Sequence, residues 1–532
     1  MAHRKALIVL VSIESIFLNV LGAWACGSSS PKGDAGSDGW EERDAFFLDS
    51  REEEDAGPRP PFEVPDCTQP PLSGFSPLRP RCNMLVDEEG RVVLLRGVNA
   101  RVLGLFDVTF DDGRLPLQEI PDFREEDARR MRELGLNFLR LPINWSGLEP
   151  RDTTPRTFVQ SYIDRLKEIL DLCRAHGIYV LVDWHQDAYS KEIGEDGAPL
   201  WAIHPPPEML LGGPLTDLEA RRVSRQVLRA FATFFGDDEP GPTLRQRFAE
   251  AVVHVVQALR GDEIVVGFEV YNEPVASDAQ TRRLNEFVAR AIRAADPTRL
   301  VFFEPPAIPR NFTDQAALAS RPFEVQGAVY APHSYTLAFR GSEEERRSFT
   351  KETLRRSHEN AQREAASWGT PLLIGEWGYD PRGIRAEDYY RMQVELMDEY
   401  AESWALWLWK EQSQGRWGVH EHEDATGRWR ERPLVVRAIT RPRPERIAGW
   451  PRRFGWNASE KSLEIRFRGE ASVRAPTTIY LPERALPGYR VFCDGREIIP
   501  SPSRDPRTGL IAVECNGDGE HVIRVEGIEG VD

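Results

Sequence analysis

The chain has little cysteine, no excess of positive charge, and no apolar run after its first residues long enough to cross a bilayer. Six cysteines in 532 residues exclude a small scaffold held together by disulfides. No cysteine or histidine spacing suggests a metal site, and neither metal nor cofactor is expected. The formal net charge of −17 argues against nucleic acid as a partner, because phosphate contacts need clustered Lys and Arg. The acid is also unevenly placed. Ten acidic and two basic residues lie between Asp34 and Ala56, a net of −8 and so about half of the whole excess. The remaining chain is only mildly acidic. Its hydrophobic content of 41% suffices for a large core, and its length suits a barrel plus a smaller domain.

Residues 1–25 read as an export signal. Arg4 and Lys5 precede an apolar run, and Ala23-Trp24-Ala25 is a small-residue cleavage pattern. Cys26 follows at once, so this start resembles a bacterial lipoprotein signal. Outer-membrane anchoring through a lipidated Cys26 and release as a secreted protein both stay open. Glu14 interrupts the apolar run, which favours a cleaved signal over a stable membrane span. Residues 26–78, rich in Gly, Ser, Pro and acid, read as a disordered tether. Export permits disulfides. With Cys26 lipidated, Cys67 with Cys82 and Cys493 with Cys515 could pair, although sequence alone does not fix connectivity. Cys173 falls on the apolar face of a helical stretch and reads as a small buried hydrophobe.

Residues 79–440 alternate short apolar runs with helical periodicity. Strands are expected at Val92–Val98, Phe138–Pro142, Tyr179–Trp184, Val265–Val270, Leu300–Phe303, Ala328–Tyr330, Pro371–Gly375 and Trp404–Trp409. Eight strands alternating with helices predict an α/β fold, a parallel (β/α)8 TIM barrel. About eighty residues separate the third and fourth strands, and added helices over the catalytic face are expected there. After Arg441-Pro442-Arg443-Pro444, read as a connector, short alternating strands within 441–532 predict a C-terminal β-sandwich. That sandwich is expected to pack on the barrel or to bind glycan.

Nearly every barrel strand ends in residues that can bind or react. The fifth ends in Glu304, and two others carry the chemistry: Val265-Val266-Gly267-Phe268-Glu269-Val270-Tyr271 runs into Asn272-Glu273-Pro274, and Pro371-Leu372-Leu373-Ile374-Gly375 runs into Glu376. A carboxylate at the end of a buried strand is costly unless it is paired or used. Hydrolysis of a glycoside with retention needs one carboxyl to protonate the leaving oxygen and another to attack the anomeric carbon. Glu273 suits the acid and Glu376 the nucleophile. Asn272 is placed to hold a sugar 2-hydroxyl, and His333 and Tyr335 to orient Glu376. Arg140 is placed to keep Glu376 ionised. Trp407 or Trp409 supplies a flat face under the sugar ring, and their common strand parity leaves the choice open.

This ordered set closely resembles glycoside hydrolase family 5. The match runs from Gly97-Val98-Asn99 to Trp409 through Arg140, His185, Asn272-Glu273, His333, Tyr335, Glu376 and the Trp near 407–409. The resemblance implies Glu273 as acid/base and Glu376 as nucleophile. The string Asp183-Trp184-His185-Gln186-Asp187, with the C-terminal sandwich, looks like the endoglycoceramidase branch. Enzymes of that branch release an intact oligosaccharide from ceramide, and by analogy His185 and Asp187 contact the glucose joined to the lipid. One departure stands out. That branch often has a lysine shortly after the Gly-x-Asn of the first strand; here none follows, and Arg101 is the candidate for its place.

The expected partner is therefore a glycolipid or oligosaccharide, and the chain is expected to be a monomer. Alternatives are a family 5 β-glucosidase or glucosylceramidase, an endo-β-glucanase or mannanase on soluble polysaccharide, and a non-catalytic glycan-binding lipoprotein. An apolar groove built from the long insertion would favour lipid, and a long polar cleft lined by Trp would favour polymer.

Overall fold

The computed structural model of the protein describes residues 64–308, 325–339, 341–412, 417–501 and 504–531. The expected signal, Cys26 and most of the expected tether lie outside them. Among the described residues no helix is long and apolar enough to cross a membrane.

The barrel strands are β1 (Arg96–Asn99), β2 (Phe138–Ile143), β3 (Tyr179–Trp184), β4 (Val265–Glu269), β5 (Leu300–Phe303), β6 (Ala328–Tyr330 continuing as His333–Ser334), β7 (Leu373–Trp377) and β8 (Ser403–Leu406). All pair in parallel in chain order, and β8 returns to β1. A parallel bridge from Tyr330 to Leu372 joins β6 to β7 and completes the ring. Helices follow most of the strands: α1 (Glu125–Glu133), α2 (Gln160–Ala175), α3 (Gly241–Ala258), α4 (Asp278–Ala295), α5 (Lys351–Trp368) and α6 (Ala386–Glu399). Their apolar faces and the outer faces of the strands share one core.

The inner face explains where the polar residues go. Side chains alternate across a strand, so every second residue enters the barrel. An inner layer of Phe138, Leu181, Phe302, Ala331 and Ala405 fills the middle. Two residues further along the same strands come Arg140, Asp183, Glu304, His333 and Trp407. The period that buries the apolar layer thus delivers a polar layer to the carboxyl-end mouth, where barrel enzymes carry their sites.

The C-terminal domain holds two antiparallel sheets. One contains Gly449–Asn457, Ser462–Gly469, Gly519–Glu526, Arg490–Cys493 and Arg496–Ile498. The other contains Arg443–Ile447, Thr477–Tyr480 and Leu510–Val513, joined by three short strands that precede the barrel, Arg79–Arg81, Met84–Val86 and Val92–Val93. This corrects three expectations. Val92–Val98 is not one strand: Val92 pairs with Ile447 in the sandwich, while Gly97 pairs with Phe138 in the barrel. The stretch from Arg443 is a strand rather than a connector, since Arg443 is buried and its guanidinium donates to Gly135 O at 2.7 Å. Residues 64–78, expected as tether, are docked. Trp450 Nε1 donates to Pro65 O at 2.9 Å, and a Cys67–Cys82 disulfide fastens the segment. A second disulfide joins Cys493 to Cys515, and Cys173 is a buried free thiol.

The sandwich packs on the foot of the barrel. Arg132 of α1 binds both oxygens of Glu445, at 2.6 and 3.1 Å. Gly135, which ends α1 at φ +74°, lies against the Tyr480 ring, and a Cβ there would come within 2.6 Å of it. Only glycine meets both the backbone and the space.

Candidate active site

A cavity of about 310 Å³ opens at the carboxyl ends of the strands. His185, Asp187, Asn272, Glu273, Tyr335, Glu376 and Trp407 line it. Arg140 and His333 lie beneath, fully buried. Trp409 is elsewhere. Its Nε1 donates to Asp127 of α1 at 2.9 Å, and its ring meets His420 edge-on at 4.3 Å. Parity could not separate the two tryptophans: β8 ends at Leu406, and the alternation that carries Trp407 into the mouth is lost before Trp409.

Glu376 accepts from Arg140 Nη1 at 2.6 Å and from the Tyr335 hydroxyl at 2.7 Å. Both donors favour the ionised carboxylate. Burial works against them and pushes the Glu376 carboxyl up to about 7. Glu273 follows β4 in a left-handed conformation, φ +41°, which a residue with a side chain rarely adopts. Such strain gathers at sites where a side chain must be aimed. Gln186 holds this turn, its Nε2 donating to the carbonyls of Asn272 and Glu273 at 2.8 and 3.1 Å. Asn272 Oδ1 accepts from Arg140 Nη2 at 2.9 Å.

His333 stands between the two glutamates. Its Nδ1 is 2.9 Å from Glu273 Oε1 and 3.5 Å from Glu376 Oε2. One carboxylate oxygen of each glutamate and the imidazole nitrogen lie within 4.8 Å of one another. Burial lowers His333 to about 4, so the ring is neutral and carries one N–H. With that N–H on Nδ1, facing the glutamates, Nε2 is an acceptor 3.3 Å from Glu304 Oε1. Burial, with Glu269 nearby, raises the Glu304 carboxyl well above its ordinary range.

Arg140 sits at the centre of this acid cluster, within 3.4 Å of Asp183, Glu269, Glu304 and Glu376. Two groups, Glu269 with Glu304 and His333, and Glu273 with His333 and Glu376, have metal-like spacing. The guanidinium already supplies the positive charge these acids face. A third such group contains Cys493 and Cys515, whose sulfurs are committed to a disulfide.

His185 Nδ1 meets Asp183 at 2.7 Å, and its ring stacks on Trp407 at 5.4 Å. His185 Nε2 has no hydrogen-bond partner among the described residues, and burial keeps the ring neutral. Asp187 is held by Arg222 Nη2 at 2.8 Å. Arg222 and Leu218 come from the long insertion, which does cover the mouth and forms Leu218–Arg222 and Arg225–Phe235 as helices.

Sequence reasoning missed Gln186, Arg222, Glu195, Glu411 and Trp417, and named Arg101 only as a stand-in for lysine. Arg101 lines the cavity, pairs with Glu195 at 3.1 Å and Glu411 at 3.5 Å, and lies over the Trp407 ring at 5.0 Å. Gln186 carried a signal, since it stands two residues past the end of β3, in the His185-Gln186-Asp187 string. The insertion residues carried none, because no strand period indexes them.

A barrel mouth with two glutamates sharing one small cavity is the architecture of a glycoside hydrolase. The family model for cellulase (glycosyl hydrolase family 5) matches residues 119–413, and that for the glycoside hydrolase family 5 C-terminal domain matches residues 441–525. The chain belongs to glycoside hydrolase family 5. It is 26% identical over 491 residues to endoglycoceramidase I of Rhodococcus hoagii, covering 86% of this chain and 89% of that one. The solved endo-glycoceramidase II from Rhodococcus sp. superposes with a TM-score of 0.69 at 27% identity, covering 83% of this chain and 98% of that one. It has also been solved as a lactosyl-enzyme intermediate. A solved endogalactoceramidase is similar too, with a TM-score of 0.68 at 25% identity over 84% of this chain and 99% of that one.

Proposed function

We propose that this chain hydrolyses, with retention, the β-glycosidic bond between glycan and ceramide in glycosphingolipids. The observation that carries the reading is the approach of Glu273 and Glu376 to within 4.8 Å across His333. Retaining enzymes hold their carboxyls about 5–5.5 Å apart, whereas inverting ones leave room for a water at about 6.5–9.5 Å. In the first step the Glu376 carboxylate attacks the anomeric carbon while Glu273 passes its proton to the departing ceramide oxygen. In the second, Glu273 takes a proton from water, which attacks the same carbon and frees Glu376. Arg140 and Tyr335 hold Glu376 in line, Asn272 meets the 2-hydroxyl, and Trp407 with His185 and Asp187 seats the sugar.

The lipid part of the reading is supported by the apolar wall of Leu218, Phe339 and Trp417 on the same cavity, with Phe339 stacked on Trp417 at 5.1 Å. It is supported also by the likeness to proteins named for ceramide glycosides. The purified protein is expected to release intact lactose from detergent-dispersed lactosylceramide, with the β-anomer first in the proton NMR spectrum. Carboxymethyl-cellulose and galactosylceramide complete the panel. Reducing ends from cellulose with no sugar from any ceramide would replace this reading with the polysaccharide one.

Residues 1–25 are further read as an export signal, with Cys26 as a lipid anchor. The two disulfides suit an oxidising compartment. Mass spectrometry of the mature N-terminus decides it: a diacylglyceryl adduct on Cys26 supports anchoring, and an uncleaved Met1 overturns export.

A further inference from the structure

Soluble proteins scatter large exposed apolar side chains singly; grouped ones mark contact surfaces. Eleven such residues occur among the described residues, and three of them lie on two adjoining stretches: Leu115, Met209 and Leu210, exposed by 63%, 62% and 40%. Hydrogen bonds join the two stretches. Gly213 N donates to Leu115 O at 2.9 Å and Leu215 N to Leu117 O at 2.8 Å, while Arg114 Nη1 donates to Leu211 O at 2.7 Å. The half-buried Phe110 extends the face beneath the Arg114 guanidinium, 3.9 Å away.

This face continues into the wall of the active-site cavity. Arg221 Nη2 donates to Gly212 O at 3.0 Å, and its neighbour Arg222 holds Asp187 in the cavity. Leu218, six residues after Gly212, lines the cavity itself. The charges around the face are matched within the chain: Arg114 with Asp112 and Glu192, Lys191 with Asp107, and Arg225 and Arg229 with Glu208. A polyanion would find no surplus of positive charge here. A neutral, apolar partner would.

We propose that Leu115, Met209 and Leu210 seat the protein on a zwitterionic lipid bilayer, beside the mouth that takes the glycolipid head group. The inference rests on the lipid reading of the cavity. Ceramide stays in the membrane, so an enzyme that cuts its glycan gains by being held at the surface from which the head group projects. Apolar side chains inserted at the head-group level give such binding without a spanning helix.

The test is co-sedimentation of the full chain with phosphatidylcholine vesicles containing no glycolipid, at low and high salt. The wild-type protein is expected to partition onto them with little salt dependence. The Leu115→Ser/Met209→Ser/Leu210→Ser variant is expected to lose about tenfold or more in partitioning, from the apolar area removed. Turnover of a soluble aryl β-glycoside should be unchanged, which shows that the variant folds. A Leu115→Trp/Met209→Trp variant should bind more tightly than wild type. Equal vesicle binding by wild type and the serine variant overturns the proposal. So does absent wild-type binding, or a wild-type dimer that the serine variant turns into monomer. Failure of the ceramide reading shows separately, as no hydrolysis of detergent-dispersed glycolipid.

Discussion

The barrel mouth and the seam between barrel and sandwich both bury arginines against carboxylates, in opposite proportions. At the mouth one guanidinium, Arg140, serves Asp183, Glu269, Glu304 and Glu376. At the seam one carboxylate, Glu445, is served by Arg132 at 2.6 Å and Arg446 at 2.6 Å, with Arg443 nearby. Burial raises a carboxyl in either place, and the surrounding charges decide how far. The mouth is short of cations, so Asp183 and Glu376 stand near about 7. The seam is rich in them. Glu445 is held at about 2 although burial alone would raise it. An acid-rich cluster holds carboxyls that change protonation near neutral pH; a cation-rich pair stays ionised, which suits structure.

The sharpest way to break this contrast is to remove a group from each region. Glu376→Gln is expected to lower hydrolysis of lactosylceramide by roughly 10⁴-fold or more while circular dichroism stays native, because it removes the attacking atom. Turnover within tenfold of wild type would sink the assignment. Arg140→Met leaves several acids without their cation and should cost both activity and about 3–5 kcal/mol of stability. Arg132→Met should cost a similar amount of stability by stranding Glu445, yet leave kcat of the folded fraction intact. Urea unfolding and active-site-titrated kinetics separate the two. If Arg132→Met lowered kcat as far as Arg140→Met, the division into chemical and structural clusters would be wrong.

The two regions also differ in how much of them the sequence disclosed. The mouth was legible because apolar strands run into residues that can bind or react, which pointed to Arg140, His185 and His333. The glutamates themselves announced the site, since each ends an apolar run. The seam was not legible. Arg443 and Glu445 lie in a Pro- and Arg-rich stretch whose charges disguise a strand, and their partner Arg132 is more than 300 residues away. The strands before the barrel were absorbed into it for a related reason: Val92-Val93 and Arg96–Asn99 form one apolar run, and the chain changes sheets within it. The choice between Trp407 and Trp409 stayed open because both lie beyond the end of β8, where parity no longer decides.

A pH series sharpens the comparison at lower cost. A raised carboxyl keeps its proton in the folded protein after the unfolded chain has lost it. Its stability is therefore full below the ordinary carboxylate range and falls as pH rises through about 7 for Glu376 and Asp183. Glu445 has the opposite sign. Its contribution is present above the ordinary range and is lost as pH falls toward about 2. Glu376→Gln should therefore gain stability over wild type on going from about pH 5 to pH 8, by on the order of 2 kcal/mol. Glu445→Gln should be less stable than wild type at neutral pH, with the gap closing only in strong acid. Parallel stability curves for Glu376→Gln and wild type would show that the mouth holds no extra protons.

The smallest effect divides two tryptophans that stand two residues apart. Trp407 lines the cavity, stacked on His185 with Arg101 over its ring, and the proposed function gives it a part in seating the sugar. Trp407→Ala should raise KM for lactosylceramide about tenfold, since stacking on an aromatic face contributes roughly 1–2 kcal/mol. Trp409 instead ties β8 to α1 through its indole N–H and Asp127, which Lys410 also holds. Trp409→Phe keeps an aromatic ring but loses that hydrogen bond and part of the buried indole, at a cost of about 2 kcal/mol in unfolding free energy. Its KM should match wild type. An equal rise in KM for both variants would mean that the wall near Trp407 is positioned through Trp409, and that the boundary between the binding surface and its scaffold lies deeper than the cavity lining.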